Sequence, residues 1–256
     1  MKPIAILLFQ LIAMTATAQL KPITSGVYHW NELPVKKEAQ REMRTIMEGT
    51  TNEFSYFEVH ATTQEKGATP KPPHAQTDIE ELMIIKEGKM KATIGSKTSV
   101  LGTGSVLLIP PGEMQAFENV GDGPLTYYVF QFRSRNGVDM ERSNKAGSSL
   151  LLNADSLAFK ESAKGSGKKY FDRPTATCSN YEMHITQLNH QGPSHAPHQH
   201  VDTEIILVID GEVEMTIDGQ HYKASAGDLF IAESGKMHGV GNAAEKSCSY
   251  FAFKWR

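Results

Sequence analysis

The chain has 256 residues, of which 39% are hydrophobic and 21% charged, with 26 Lys+Arg against 29 Asp+Glu and a formal net charge of -3. This balance excludes an intrinsically disordered chain and a collagen-like repeat, and the lack of any run of Lys or Arg leaves no electrostatic footprint for nucleic acid. The length suits one large or two small domains, each with chain enough to bury a core.

Residues 1–18 read as a cleaved secretory signal peptide. Lys2 supplies a positive start, Ile4 to Met14 is an almost unbroken apolar run, and Ala16-Thr17-Ala18 offers small residues for cleavage before Gln19. No Cys follows the apolar run to accept a lipid, and no later stretch is long enough to span a bilayer. The expectation is a periplasmic or secreted protein with no membrane attachment after cleavage. Such a compartment permits a disulfide between Cys178 and Cys248. Both begin β-like runs, however, and antiparallel neighbours start at opposite ends, which favours buried free thiols and leaves the pairing open.

The mature chain contains one sequence written twice. Glu58-Val59-His60-Ala61-Thr62 reads against Glu182-Met183-His184-Ile185-Thr186 at an offset of 124, and farther along Gly88, Gly104, Gly112 and Asn119 fall on Gly211, Gly227, Gly235 and Asn242 at an offset of 123. A single-residue indel between residues 74 and 81 reconciles the two registers. The expected division is 19–133 for the N-terminal unit, 134–150 for a Gly/Ser/Asn-containing linker, and 151–256 for the C-terminal unit. Arg41 to Met47 has room for one or two helical turns. Elsewhere, runs of Val, Ile, Phe and Tyr end in turns such as Glu87-Gly88 and Asp210-Gly211, which predicts an all-β fold. Closed or double-sheet architectures are favoured because they protect strand edges.

Chemistry concentrates in the C-terminal unit. On an extended segment successive side chains alternate faces, so His198 and His200 point the same way and can offer two imidazoles to one ion. Glu204 follows into the next strand, and His238 arrives from a separate hairpin. Three imidazoles and one carboxylate, with positions left over for water or substrate, suit Fe, Mn, Ni, Co or Zn rather than Ca or Mg.

Gly192-x5-His198-x-His200-x3-Glu204-x6-Gly211 and Gly227-x5-Glu233-x-Gly235-x2-His238-x3-Asn242 match both cupin motifs, apart from Glu233 at a turn position where the motif has Pro. The mature chain thus resembles a bicupin. The resemblance implies two tandem jelly-roll barrels and one divalent transition metal in the C-terminal barrel, with Fe or Mn ahead of Zn or Ni. The N-terminal unit departs from the pattern: His74 aligns with His198 and Glu81 with Glu204, but Gln76 and Gln115 replace His200 and His238. Amides are weaker donors to a transition metal than imidazole, so this site is read as degenerate.

The resemblance is specific for fold and unspecific for reaction. The leading expectation is an exported metal-dependent enzyme acting on a small oxygen-rich organic substrate, of dioxygenase or decarboxylase type. Two alternatives stand beside it: a non-catalytic small-ligand or sugar-binding cupin, and a carbohydrate isomerase or lyase or an aminohydrolase-like hydrolase. Candidate acid/base groups are His184 and His195, with Glu233 and Lys236 the other nearby candidates; none of the four belongs to a pattern diagnostic of acid/base catalysis. His184 matches His60 of the other unit, which gives a shared packing role equal footing. Tyr250, Phe251, Phe253 and Trp255 in the last strand would line a carbohydrate site or, more commonly, a core. The expected partner is a small molecule, and monomer and homodimer are both open.

Overall fold

The computed structural model describes residues 19–256; segment 1–18, which the sequence reading assigns to a signal peptide, lies outside the described residues. The chain folds almost entirely as antiparallel strands. Strands such as Phe54–Gln64 and Tyr181–Leu188 alternate buried and half-exposed positions, the period of a sheet with two differently packed faces. Arg41 to Met47, expected to hold a helical turn, belongs instead to the strand Arg41–Gly49, which pairs with Phe54–Gln64. Pairing across a long neighbour supplies backbone hydrogen bonds that a seven-residue helix could not match. The linker carries a short helix, Met140–Lys145, capped by Asp139.

Each unit combines a seven-stranded sheet with a smaller one. In the N-terminal unit the order of the large sheet runs Leu150–Leu152, Val106–Ile109, Glu80–Glu87, Leu125–Ser134, Phe54–Gln64, Arg41–Gly49, Val35–Glu38, and a three-stranded sheet faces it. In the C-terminal unit it runs Gly26–Tyr28, Leu229–Ala232, Thr203–Asp210, Cys248–Trp255, Tyr181–Leu188, Gly165–Arg173, Lys160–Ser162, with a four-stranded sheet opposite. The sheets do not respect the division read from the sequence at their edges. Gly26–Tyr28 pairs with Leu229–Ala232 of the C-terminal unit, and Leu150–Leu152 pairs with Val106–Ile109 of the N-terminal unit. The two units thus exchange their first strands.

Three apolar clusters result. Two fill the barrels: Met83, Ile94, Leu107 and Val129 in the first, and Ile206, Met215, Phe230 and Ala252 in the second. The third joins the outer faces of the large sheets, where Phe54, Phe132, Tyr181, Phe253 and Trp255 are almost completely buried. Phe54 stacks on Trp255 at 5.5 Å between centroids, and Phe130 meets Phe253 edge-on at 5.0 Å. Each such ring contributes about 1.5–3 kcal/mol by burial. Phe251, Phe253 and Trp255 therefore face the partner barrel, and only Tyr250 of the last-strand aromatics turns into its own barrel. The carbohydrate-lining arrangement is absent there.

Polar contacts add to this joint. Glu80, buried in the first barrel, accepts hydrogen bonds from Thr175 Oγ1 at 2.7 Å, Thr177 Oγ1 at 2.6 Å, Thr177 N at 2.9 Å and Ala176 N at 3.3 Å of the second. Cys178 and Cys248 are both free and buried. The strands beside them, Tyr181–Leu188 and Cys248–Trp255, run antiparallel with Leu188 opposite Cys248, so the two thiols stand at opposite ends of the pair. The tight reversals at Gly88 and Gly211 require glycine: φ is 87° and 76°, and a Cβ would lie 2.4 Å from Pro124 O and 2.6 Å from Ser247 O.

Candidate metal centre

Local backbone geometry gathers the four motif residues at one end of the second barrel. His198 and His238 form an antiparallel bridge, with N–H donating to O at 2.9 and 2.8 Å in the two directions. Gly235 N donates to His200 O at 2.8 Å and ties the second hairpin to the histidine pair. Glu204 sits at the start of its strand, opposite Ala232 on one side and Lys254 on the other. Ligand atoms of His198, His200, Glu204 and His238 all lie within 4.8 Å of one another.

The hydrogen bonds around the cluster orient the donors. His200 Nδ1 contacts Asp202 O at 3.0 Å and His238 Nδ1 contacts Lys236 O at 2.8 Å, so both Nδ1 atoms carry protons and both Nε2 atoms are turned inward, where a metal ion would take their lone pairs in place of a proton. These Nε2 atoms approach Glu204 Oε2 at 3.1 and 3.0 Å. Burial opposes ionisation of Glu204, but the hydrogen bonds from His200 and His238 outweigh it and hold the carboxyl well below the usual carboxylate range. Burial pulls the His198 imidazole down, reinforced by the neighbouring His238, His195 and His200. His198 Nδ1 is buried without a hydrogen-bond partner. A buried orphan nitrogen, three converging imidazoles and one carboxylate fit a transition-metal ion, which would take imidazole lone pairs in place of mutually repelling protons.

The candidate acid/base groups separate clearly. The His195 ring lies 4.6 Å from that of His198, with Nδ1 contacting Ala196 O at 3.0 Å, so it stands at the exposed rim of the cluster. His184 lies on the inner wall in register with Ala252, and burial lowers its pKa against the raising influence of Glu182, 3.5 Å away. Its counterpart His60 makes a closer version of this contact, with Nδ1 2.8 Å from Glu58, so the shared hydrogen-bonding arrangement is present in both barrels. Glu233 is occupied elsewhere, accepting from Ser25 N at 2.9 Å and Ser25 Oγ at 3.0 Å. Lys236 is exposed and donates to Asp218 at 2.8 Å. Sequence reasoning missed Lys254 and Glu182, which lie in one cross-strand row with Glu204 and approach each other to 3.7 Å. Following the alternate positions of the last strand inward from Tyr250 would have pointed to Lys254.

In the first barrel, the backbone repeats the same frame. His74 bridges Gln115 at 3.1 and 2.7 Å, Gly112 N donates to Gln76 O at 2.7 Å, and Glu81 stands opposite Ile109 as Glu204 stands opposite Ala232. The extra residue leaves Glu81 in place. Its buried carboxylate is taken by amides: Gln115 Nε2 donates to Oε2, and Gln131 Nε2 donates to Oε1 at 2.7 Å. His74, Gln76, Glu81 and Gln115 line a cavity of about 290 Å³ that extends to His60, Tyr127 and Gln131.

Comparison with known proteins agrees with this geometry. The family model described as a cupin domain matches twice, over residues 60–130 and 184–254. A search of curated proteins found no match. Among solved structures, Ylba from E. coli superimposes with a TM-score of 0.70 at 17% identity, covering 94% of this chain and 95% of the other. AerE from Microcystis aeruginosa gives 0.66 at 10% identity, covering 90% and 98%. Oxalate decarboxylase from Bacillus subtilis gives 0.67 at 14%, covering 92% and 77%. At these identities the likeness is one of fold. With two matched domains and the two-barrel architecture, the chain belongs to the cupin family as a bicupin.

Proposed function

We propose that this chain is an exported metal-dependent enzyme whose C-terminal barrel transforms a small oxygen-rich organic substrate, with an Fe- or Mn-based dioxygenase or decarboxylase as the reaction type. The observation that carries the reading is the convergence of His198, His200, Glu204 and His238 with two Nε2 atoms already directed inward. When bound, the ion supplies Lewis-acid polarisation of a carboxylate or carbonyl and a redox partner for O2. The protein residues supply the remainder. Glu204 and the imidazoles fix the coordination geometry, the apolar wall around Ile206, Phe230 and Ala252 limits water, and Lys254 offers a cation beside the carboxylate row. His195 at the rim and His184 on the inner wall stand as proton carriers on two sides of the cluster. The similarity in fold to a bicupin named as an oxalate decarboxylase supports a small carboxylic acid as substrate.

A second reading, non-catalytic ligand binding, is favoured for the first barrel by its polar cavity and by the amides that occupy Glu81. Metal analysis of mature, tag-free protein tests the enzyme reading. About one equivalent of Fe or Mn per chain, with CO2 release or O2 uptake on small carboxylic acids, is the expected result. Stoichiometric Zn or Ni would redirect the assay to hydrolysis, isomerisation or elimination. No bound metal after reconstitution under reducing conditions would overturn the reading and leave ligand binding in its place. Export is tested separately by sequencing the mature N-terminus, expected at Gln19.

A further inference from the structure

The internal repeat makes each barrel a template for what its partner lacks. Trp30 lies just after the exchanged strand Gly26–Tyr28, and Ala154 occupies the matching place after Leu150–Leu152. The equivalence holds in its hydrogen bonds. Trp30 N donates to Asp228 Oδ1 at 2.8 Å, and Ala154 N donates to Ser105 Oγ at 3.1 Å. Arg44 donates to Trp30 O at 2.7 Å, and Lys168 donates to Ala154 O at 2.9 Å. The side chains then diverge. The Trp30 indole packs on Gly227, where an added Cβ would lie 3.3 Å from the ring, and meets Tyr128 edge-on at 5.6 Å between centroids. In the other copy, Gly104 faces only the Ala154 methyl group and the Tyr170 hydroxyl.

Beside the Ala154 methyl there is a cavity of about 320 Å³ between the barrels, lined also by Tyr170, whose ring packs on Phe251 at 5.4 Å between centroids and whose hydroxyl donates to Gly104 O at 2.7 Å. Its floor is apolar, formed by Ile185, Leu207 and Phe251, the last being the counterpart of Tyr128. Lys86 and Lys168 stand at its sides against a single acid, Asp155. Lys168 has three N–H donors and directs one to Ala154 O. The volume is at the lower end of the range for small-molecule sites.

We propose that this inter-barrel cavity is a binding site for an aromatic carboxylate of one or two fused rings, with the ring on the apolar floor beside Ala154, the position that carries Trp30 in the other copy, and the carboxylate towards Lys168 and Lys86. This site is separate from the metal centre and does not depend on the proposed reaction. The apolar floor and the neighbouring rings of Phe251 and Tyr170 specify a flat ring, and the two ammonium groups specify the charge.

Indole-3-carboxylate is the probe, measured by calorimetry and by saturation-transfer NMR on the full mature protein. A ligand of this size in a preformed socket is expected to bind with Kd of about 0.1–1 mM. Ala154→Trp should fill the cavity, raise Tm and weaken binding at least about tenfold. Lys168→Gln should weaken it about fivefold. Should Ala154→Trp fail to fold, Ala154→Leu fills part of the same space and should still lower affinity. Absence of wild-type binding at about 10 mM probe would overturn the proposal. So would binding that survives in a folded Ala154 variant, because it would place the carboxylate elsewhere, the metal centre included.

Discussion

Restoring imidazoles to the first barrel, as Gln76→His with Gln115→His, should give the protein one more metal equivalent than the wild type. The backbone is already in place, because the His74–Gln115 bridge, the Gly112–Gln76 contact and the Glu81–Ile109 register repeat those of the second barrel. The roughly 290 Å³ cavity accepts the wider rings without displacing core side chains. In the metal-free variant, an imidazole at 115 that carries a proton on Nε2 can still donate to Glu81, as His238 Nε2 contacts Glu204 at 3.0 Å, so stability without metal should change by less than about 1.5 kcal/mol. At free metal 100 times Kd, binding adds about 2.7 kcal/mol. For a protein of this size that is roughly 5–11 °C in Tm. The assay is metal content per chain together with thermal melts with and without chelator. A folded double variant that gains neither metal nor a larger chelator-sensitive shift would refute the claim that side-chain chemistry alone separates the two sites.

Three further outcomes are expected. His198→Ala and His238→Ala should each remove most bound metal, as read by elemental analysis, while the barrel core keeps the chain folded by circular dichroism; unchanged metal in both would refute the ligand assignment. Glu80→Ala strips four donors of their shared acceptor at the barrel joint and should cost at least about 2 kcal/mol in a denaturant melt, a loss that a mere surface residue would not show. Burial pushes the Cys248 thiol up to about 11 and the Cys178 thiol higher still. Raised thiol values mean the protonated form persists through neutral pH, and thiolate at Cys248 emerges only as pH approaches 11. At pH 8 about one Cys248 in a thousand is ionised, so a thiol reagent should react with native protein only on the timescale of unfolding; rapid labelling would contradict the burial.

The repeat and the metal motif were legible because both are local in sequence. His198, His200 and Glu204 lie within seven residues, and strand alternation alone puts the two imidazoles on one face. His238 needed the motif, since only a hairpin from a distant segment brings it in. Lys254 and Glu182 were not legible, because their position beside Glu204 depends on the register of three strands far apart in the chain. The same reason hid the exchanged strands: Gly26–Tyr28 and Leu150–Leu152 have three residues each and carry no local mark of the sheet they join. Arg41 to Met47 misled through composition, since its many polar groups leave a strand pattern visible only against its neighbour. The Trp30 to Ala154 difference was visible in the repeat, but its meaning required the cavity beside the alanine.

The exchanged strands make the halves unsuited to separation, although a repeat of this kind invites cutting. Removing the C-terminal half would uncover Val106–Ile109, and removing the N-terminal half would uncover Leu229–Ala232; all residues of both strands are buried in the intact chain. Each fragment would thus present a bare apolar β-edge, a template for self-association. Supplied together, the fragments would cover one another's edges. The duplication has therefore left a protein that can be divided into two genes only if both products are made at once.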